Sequence, residues 1–229
     1  MKRTMLFTLL VIGVMMTQNA ISQVEFGAKA GASFSDISVD GLNFGGDFLE
    51  PQMIASPVAG IYSEIPLGSG FYFTPELNYT QKGFKVQEST NVNVFNLPVP
   101  IGAEAITRFH YIEMPLSLKY KFGNGAVQPY VKAGATMGYA VAGTVTTRVN
   151  SIIDIKVAEI DVDPQGDLYN AFELGGVAGA GLEIPTANGK FFMEASYSHG
   201  FTDILDEPVI DLRVRNTAVG VGIGYALRF

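Results

Sequence analysis

The chain contains no cysteine. Disulfide stapling, thiol chemistry and cysteine-ligated metal sites are therefore excluded. Histidine is almost as scarce, with only His110 and His199. Basic runs are missing too: 15 Lys and Arg stand against 22 Asp and Glu, a formal charge of −7. A chain of that sign without a basic patch is a poor ligand for nucleic acid. Nor does any stretch beyond the N-terminal segment reach the ~20 apolar residues of a membrane-spanning helix. Yet 48% of the residues are hydrophobic. They are dispersed among Gly, Ser, Thr and single charges, as in a membrane β-barrel, where only alternate residues of each strand face lipid.

The first residues follow a different plan. Lys2 and Arg3 precede an apolar run from Met5 to Met16, and Ala20-Ile21-Ser22 supplies a small-residue triplet. This is the layout of a signal peptide, so residues 1–22 are expected to be a cleaved export signal and residues 23–229 the barrel domain. Cleavage removes two positive charges and no acidic residue, taking the net charge from −7 to −9.

Eight segments alternate with period two, the signature of strands with two different faces. In the last, Val219, Val221, Ile223, Tyr225, Leu227 and Phe229 alternate with small residues and Arg228. In Phe71 to Thr80, Phe71, Phe73, Leu77 and Tyr79 alternate with Tyr72, Thr74, Glu76 and Asn78. From His110 to Phe122 the apolar set is Ile112, Met114, Leu116, Leu118, Tyr120 and Phe122, against Glu113, Ser117, Lys119 and Lys121. Between Tyr130 and Val141, Val131, Ala133, Ala135, Met137 and Tyr139 oppose Lys132, Gly134, Thr136 and Gly138. Softer alternation separates Phe26, Ala28, Ala30, Ala32 and Phe34 from Glu25, Lys29 and Ser33, and Ala59, Ile61 and Ile65 from Tyr62 and Glu64. It also separates Phe172, Leu174, Ala178, Ala180 and Leu182 from Glu173 and Glu183, and Phe191, Met193, Ala195 and Tyr197 from Phe192, Glu194 and Ser198.

Between these segments, short and long connections take turns. Residues 66–70, 123–125 and 185–189 carry hairpin-turn chemistry, whereas 36–52, 85–107, 143–168 and 203–211 read as long loops. Three short turns and four long loops are what an eight-stranded antiparallel up-and-down transmembrane β-barrel requires when both termini are periplasmic. Aromatics gather at the strand ends, as a membrane barrel's two interfacial girdles do. One set is Phe71, Phe73, Tyr120, Phe122, Phe191, Tyr225 and Phe229; the other is Tyr79, Phe84, Phe109, Tyr139, Phe172, Tyr197 and Phe201. A soluble barrel or sandwich would show the same alternation, but neither the export signal nor the paired girdles belong to it.

Four segments resemble the PorT-like outer-membrane β-barrel family of Gram-negative bacteria. They are Phe26-Gly27-Ala28-Lys29-Ala30-Gly31-Ala32-Ser33-Phe34-Ser35, Pro75-Glu76-Leu77-Asn78-Tyr79-Thr80-Gln81-Lys82-Gly83, Tyr111-Ile112-Glu113-Met114-Pro115-Leu116 and Pro129-Tyr130-Val131-Lys132-Ala133-Gly134. The resemblance implies an integral outer-membrane barrel in contact with outer-membrane lipid. It also implies assembly by the barrel-assembly machinery, with terminal Phe229 as the recognition signal. The family's namesake takes part in protein secretion, but no motif carries that role to this chain.

The inward register gathers Lys29, Glu64, Glu76, Glu113, Lys119, Lys132, Glu173 and Glu194 into one lumen. Eight strands enclose a space just wide enough for side chains to fill, so these charges are expected to pair across it as a fixed plug. The competing reading is an ion path that opens, a narrow or gated pore for small solutes. Ser198-His199 with Ser196 and Asp203 suggests the Ser-His-acid site of a lipid-modifying barrel enzyme, but neighbours on a strand point to opposite faces and His199 falls on the lipid-facing register. Asp161, Asp163 and Asp167 lack the closing glutamate of a calcium loop. No cofactor is implied and no enzymatic activity expected, and a protein partner would be met at the long loops. Within the third of these, Ile153, Ile155, Val157, Ile160 and Val162 can extend two strands beyond the membrane as a hairpin, offering an edge to a partner.

Overall fold

A computed structural model describes residues 24–40, 51–94, 97–150, 155–164, 170–202 and 213–228. All of its regular structure is strand: β1 (Glu25–Asp40), β2 (Pro51–Gln52), β3 (Ile54–Gly68), β4 (Phe71–Val94), β5 (Leu97–Lys121), β6 (Gln128–Asn150), β7 (Ile155–Val162), β8 (Phe172–Thr186), β9 (Gly189–Gly200) and β10 (Arg213–Arg228). Every pairing is antiparallel. Eight long strands run β4-β3-β1-β10-β9-β8-β6-β5, and β5 returns to β4, so the sheet closes into an eight-stranded barrel. The short strands β2 and β7 are additions, on β4 and β6. The expected signal segment and Phe229 lie outside the described residues.

Closure follows from the chain's two-faced strands. Ile61, Leu77, Leu118, Val131, Met193 and Ile223 are all at least 45% exposed on the outer face, while Glu64, Lys119, Glu183 and Lys190 are at most 3% exposed inside. In water this distribution would be inverted. In lipid it is required, and an open sheet edge would leave backbone groups without partners. The two aromatic girdles set the thickness of the apolar band. On β4 and β5, the rungs Phe71–Tyr120 and Tyr79–Ile112 are eight residues apart. At ~3.4 Å per residue and ~40° of tilt this spans about 21 Å, near the ~25 Å expected of an outer-membrane barrel.

The strands do not stop at the outer girdle. The segment 85–107, expected as a loop, is a hairpin: β4 and β5 stay paired from Phe71↔Tyr120 to Val94↔Leu97. Pro98 and Pro100 lie in that ladder, and prolines argue against strand when read in sequence. The third long connection does form the hairpin that its alternating isoleucines and valines suggest, with β7 paired to β6 from Gly143↔Val162 to Val149↔Ile155. The two hairpins share the β5–β6 ladder, which continues to Gly102↔Asn150, so one four-stranded sheet, β4-β5-β6-β7, rises beyond the membrane band.

One seam of the wall is incomplete. The β3–β4 ladder holds at Val58↔Thr80 and resumes only where β2 meets β4 at Gln52↔Lys85. Pro57, which has no N–H to donate, stands at the start of the break. Fully buried Ser35 on β1 reaches across it: its hydroxyl accepts from the Gly83 N–H at 3.1 Å and donates to the Gly83 carbonyl at 3.3 Å. Ser35→Ala would orphan both backbone groups and is expected to lower stability by about 1–3 kcal/mol, read as a lower urea midpoint with an unchanged slope.

Candidate functional site

The inward side chains form three polar layers. Nearest the short turns, three glutamates, Glu25, Glu64 and Glu183, meet three lysines, Lys119, Lys121 and Lys190. Lys119 binds Glu64 at 2.8 Å and Glu183 at 2.6 Å. Lys121 binds the same two carboxylates, Glu183 at 2.8 Å. Lys190 reaches Glu25 at 2.8 Å, Glu64 at 2.6 Å and Glu183 at 3.1 Å. Arg228, at the rim, closes on Glu25 at 2.7 Å. Lys119 and Lys121 also lie over the rings of Tyr130 and Tyr72, 4.0 and 3.9 Å from the centroids. Each of the six buried charges has two or three opposite partners, which offsets the several kcal/mol that dehydrating an ion costs.

Aromatic rings separate this layer from the next. Tyr62 and Phe192 meet edge to face at 5.2 Å and pack with Ala226. Glycine makes their room: a Cβ on Gly224 would lie 2.4 Å from the Phe192 ring, and one on Gly181 2.4 Å from the ring of Tyr130. The space left at this level is about 10 Å³. In the middle layer Lys132 bridges Glu76 at 2.5 Å and Glu194 at 2.7 Å, Lys29 binds Glu76, and the Tyr130 hydroxyl donates to Glu194 at 2.9 Å.

The third layer lies toward the hairpins. Lys82 binds Glu113 at 2.6 Å and Glu173 at 2.5 Å, and Asn216 donates to Glu173 at 2.5 Å. Between it and the middle layer is a cavity of about 90 Å³ lined by Lys29, Glu76, Lys82, Glu113, Lys132 and Glu194, among others. Above it, Phe109, Tyr111 and Ala140 pack together with Val162 of β7 and Ala171. Sequence placed Phe109 in the outer girdle. The structure corrects this: it shares the inward register of Tyr111 and Glu113 and is 4% exposed.

All eight lumen residues expected from sequence lie inside the barrel, each with an opposite-charge partner. Sequence reasoning omitted Lys82 and Lys190, and did not carry Glu25, Lys121 and Glu183 into the set although their register was right. Extending the alternation Glu76-Asn78-Thr80 by one step reaches Lys82, and stepping back from Phe192 reaches Lys190. The histidines stand elsewhere. His110 contacts the Tyr79 hydroxyl at 2.6 Å on an exposed face, and His199 stacks on Tyr197 with the tilted ring of Phe201 beside it, whereas Ser198 lines the lumen cavity.

A family model described as "Outer membrane protein beta-barrel domain" matches residues 16–206. No curated protein matches the chain. Several solved structures are similar to it, three of them as follows. Neisserial surface protein A (NspA) is 14% identical, with 89% of this chain and 97% of that chain covered and a TM-score of 0.40. Ail of Yersinia pestis is 17% identical, covering 90% and 99%, at 0.40. OprG from Pseudomonas aeruginosa is 16% identical, covering 91% and 98%, at 0.43.

Proposed function

Because the chain belongs to the family of outer membrane protein beta-barrel domains, and so is an integral protein of the bacterial outer membrane, we propose that it is a closed, non-enzymatic barrel whose work is done by the hairpins it holds outside. One observation carries this reading: among the described residues the lumen is filled by three layers of ion pairs and by aromatic rings, and the cavities at these layers measure about 10 and 90 Å³. A conducting path would need several of these pairs to separate together. Each separation would leave charges facing a low-dielectric wall without partners.

The rigid wall then serves as a base. β4 and β5 continue for fifteen rungs past Tyr79↔Ile112, about 50 Å along the strand. Strand β7 is paired only to β6 among the described residues, so its other edge has no strand partner among them. A protein or surface ligand meeting this sheet is the partner this reading calls for. Protein secretion, suggested by the PorT-like resemblance, is one process such a platform would serve. Assembly through the barrel-assembly machinery by way of Phe229 belongs to the same proposal.

Planar-bilayer recording of the purified, refolded protein is the test. The plugged lumen predicts no resolved single-channel steps under applied voltage. Steady conductance steps from the wild-type barrel would discard this reading in favour of a narrow solute pore.

A further inference from the structure

The charges around the larger lumen cavity are uneven. In the layer nearest the short turns, three glutamates meet three lysines. Around the cavity, among the described residues, Glu76, Glu113, Glu173 and Glu194 meet Lys29, Lys82 and Lys132, four carboxylates to three ammonium groups. The surplus negative charge lies inside a wall that faces lipid, where an uncompensated ion costs several kcal/mol.

Neutral oxygens at the same height also lack partners. Thr136 is 4% exposed and Asn78 5%, and both line the cavity. Neither Thr136 Oγ1 nor Asn78 Oδ1 has a hydrogen-bond partner among the described residues. The neighbours of Thr136 across both ladders, Pro115 and Gly175, have no side-chain donor to offer it. The Asn78 amide is oriented by its Nδ2, which donates to Glu76 at 3.2 Å and so leaves Oδ1 to accept. Both residues flank Glu113. Asn78 is its partner on β4, and Thr136 stands one inward step from Gly138, its partner on β6. Lys82 holds Glu113 Oε1 at 2.6 Å, yet 14% of the Glu113 side chain is exposed, the most of the four carboxylates. Its inward register makes the cavity the space it is exposed to.

We propose that this cavity holds one partly hydrated alkali-metal cation, bound by the Glu113 carboxylate, Thr136 Oγ1 and Asn78 Oδ1. Carboxylate, hydroxyl and amide oxygens are the donors that a hard cation takes. One water needs roughly 10–15 Å³, so a cavity of about 90 Å³ has room for an ion with several waters. A single positive charge brings the count to four against four. A divalent ion would overshoot it, and among the described residues no three acidic or histidine side chains gather as its ligands. The cation joins β4, β5 and β6 at the root of the sheet they carry outward. The site does not depend on what that sheet binds.

The purified barrel, refolded in lipid vesicles, is unfolded with urea in sodium chloride or in choline chloride of equal concentration. Choline is too large for the cavity, so it controls for ionic strength. Only the folded barrel has the site. Each tenfold rise in sodium above half-saturation should therefore raise the folded-to-unfolded ratio about tenfold over its value in choline. Glu113→Gln restores neutrality without the ion and is expected to abolish the difference. Should that variant lack the heat-dependent gel shift of a folded barrel, Thr136→Val gives the same reading, with about five times more sodium needed for half-saturation. Glu159→Gln, a charge-matched change on β7, should leave the sodium effect intact. Identical unfolding in sodium and choline overturns the proposal and leaves the surplus charge to a proton. So does an undiminished sodium effect in folded Glu113→Gln, or a stronger response to calcium than to sodium at equal concentration.

Discussion

Replacing Glu64 with alanine is expected to destabilise the folded barrel by about 3–5 kcal/mol, because it leaves buried charge uncompensated rather than merely deleting a contact. Lys119, Lys121 and Lys190 all bind this carboxylate. Without it, three ammonium groups share Glu25 and Glu183 in a compartment whose side chains are at most 8% exposed. Urea unfolding in lipid vesicles would measure the loss, and the gel shift between unheated and boiled samples would report whether any folded barrel remains. A second variant isolates the cause. If charge imbalance dominates, adding Lys121→Met to Glu64→Ala should recover part of the loss, since one surplus cation is then gone. A double variant as weak as the sum of the two single ones would mean that packing, not charge, sets the cost.

Arginine at position 223 should cost about 2–4 kcal/mol, while arginine at position 160 should cost about 0–1. The two isoleucines are almost equally exposed, 65% and 63%. Ile223 lies on β10 between the Tyr225–Phe191 rung and the Val219–Tyr197 rung, in the middle of the apolar band. Ile160 lies on β7, paired with Val145 on the sheet beyond the outer girdle. Exposure alone predicts equal costs, so the difference measures what surrounds each side chain. Unfolding both variants in the same vesicles by linear extrapolation checks the assignment of membrane band and outer sheet. Equal losses would displace the girdles from where Tyr79, Tyr197 and their partners put them.

How legible all this is in sequence depends on the kind of information each feature needs. Which face a residue takes is set by parity alone, so Glu64, Glu76, Lys119, Lys132, Glu173 and Glu194 could be placed inside from alternation. Which charge meets which is not a matter of parity. Lys82 joins Glu173 across ninety-one positions because strand tilt and stagger bring them to one height, and neither is written in a single strand. Strand length fails for a different reason. From 85 to 107 the chain carries Thr, Asn and two prolines where a lipid-facing strand would carry an apolar stripe, because beyond the membrane nothing demands one. Phe109 sits at that boundary, where an inward aromatic capping the lumen and an outward one anchoring in the interface look alike.

The junction of β1 with β10 pairs sixteen rungs, from Glu25↔Arg228 to Asp40↔Arg213, between residues some two hundred positions apart. None of it can form until the intervening strands are in place, so it is the slow, non-local event of assembly. Once made, it can be undone within lipid only by baring a column of peptide groups that find no water. How long a copy of this protein persists in its membrane is thus governed by a barrier rather than by an equilibrium. Turnover would then begin from the sheet outside, where a protease can reach the chain, and not from the wall.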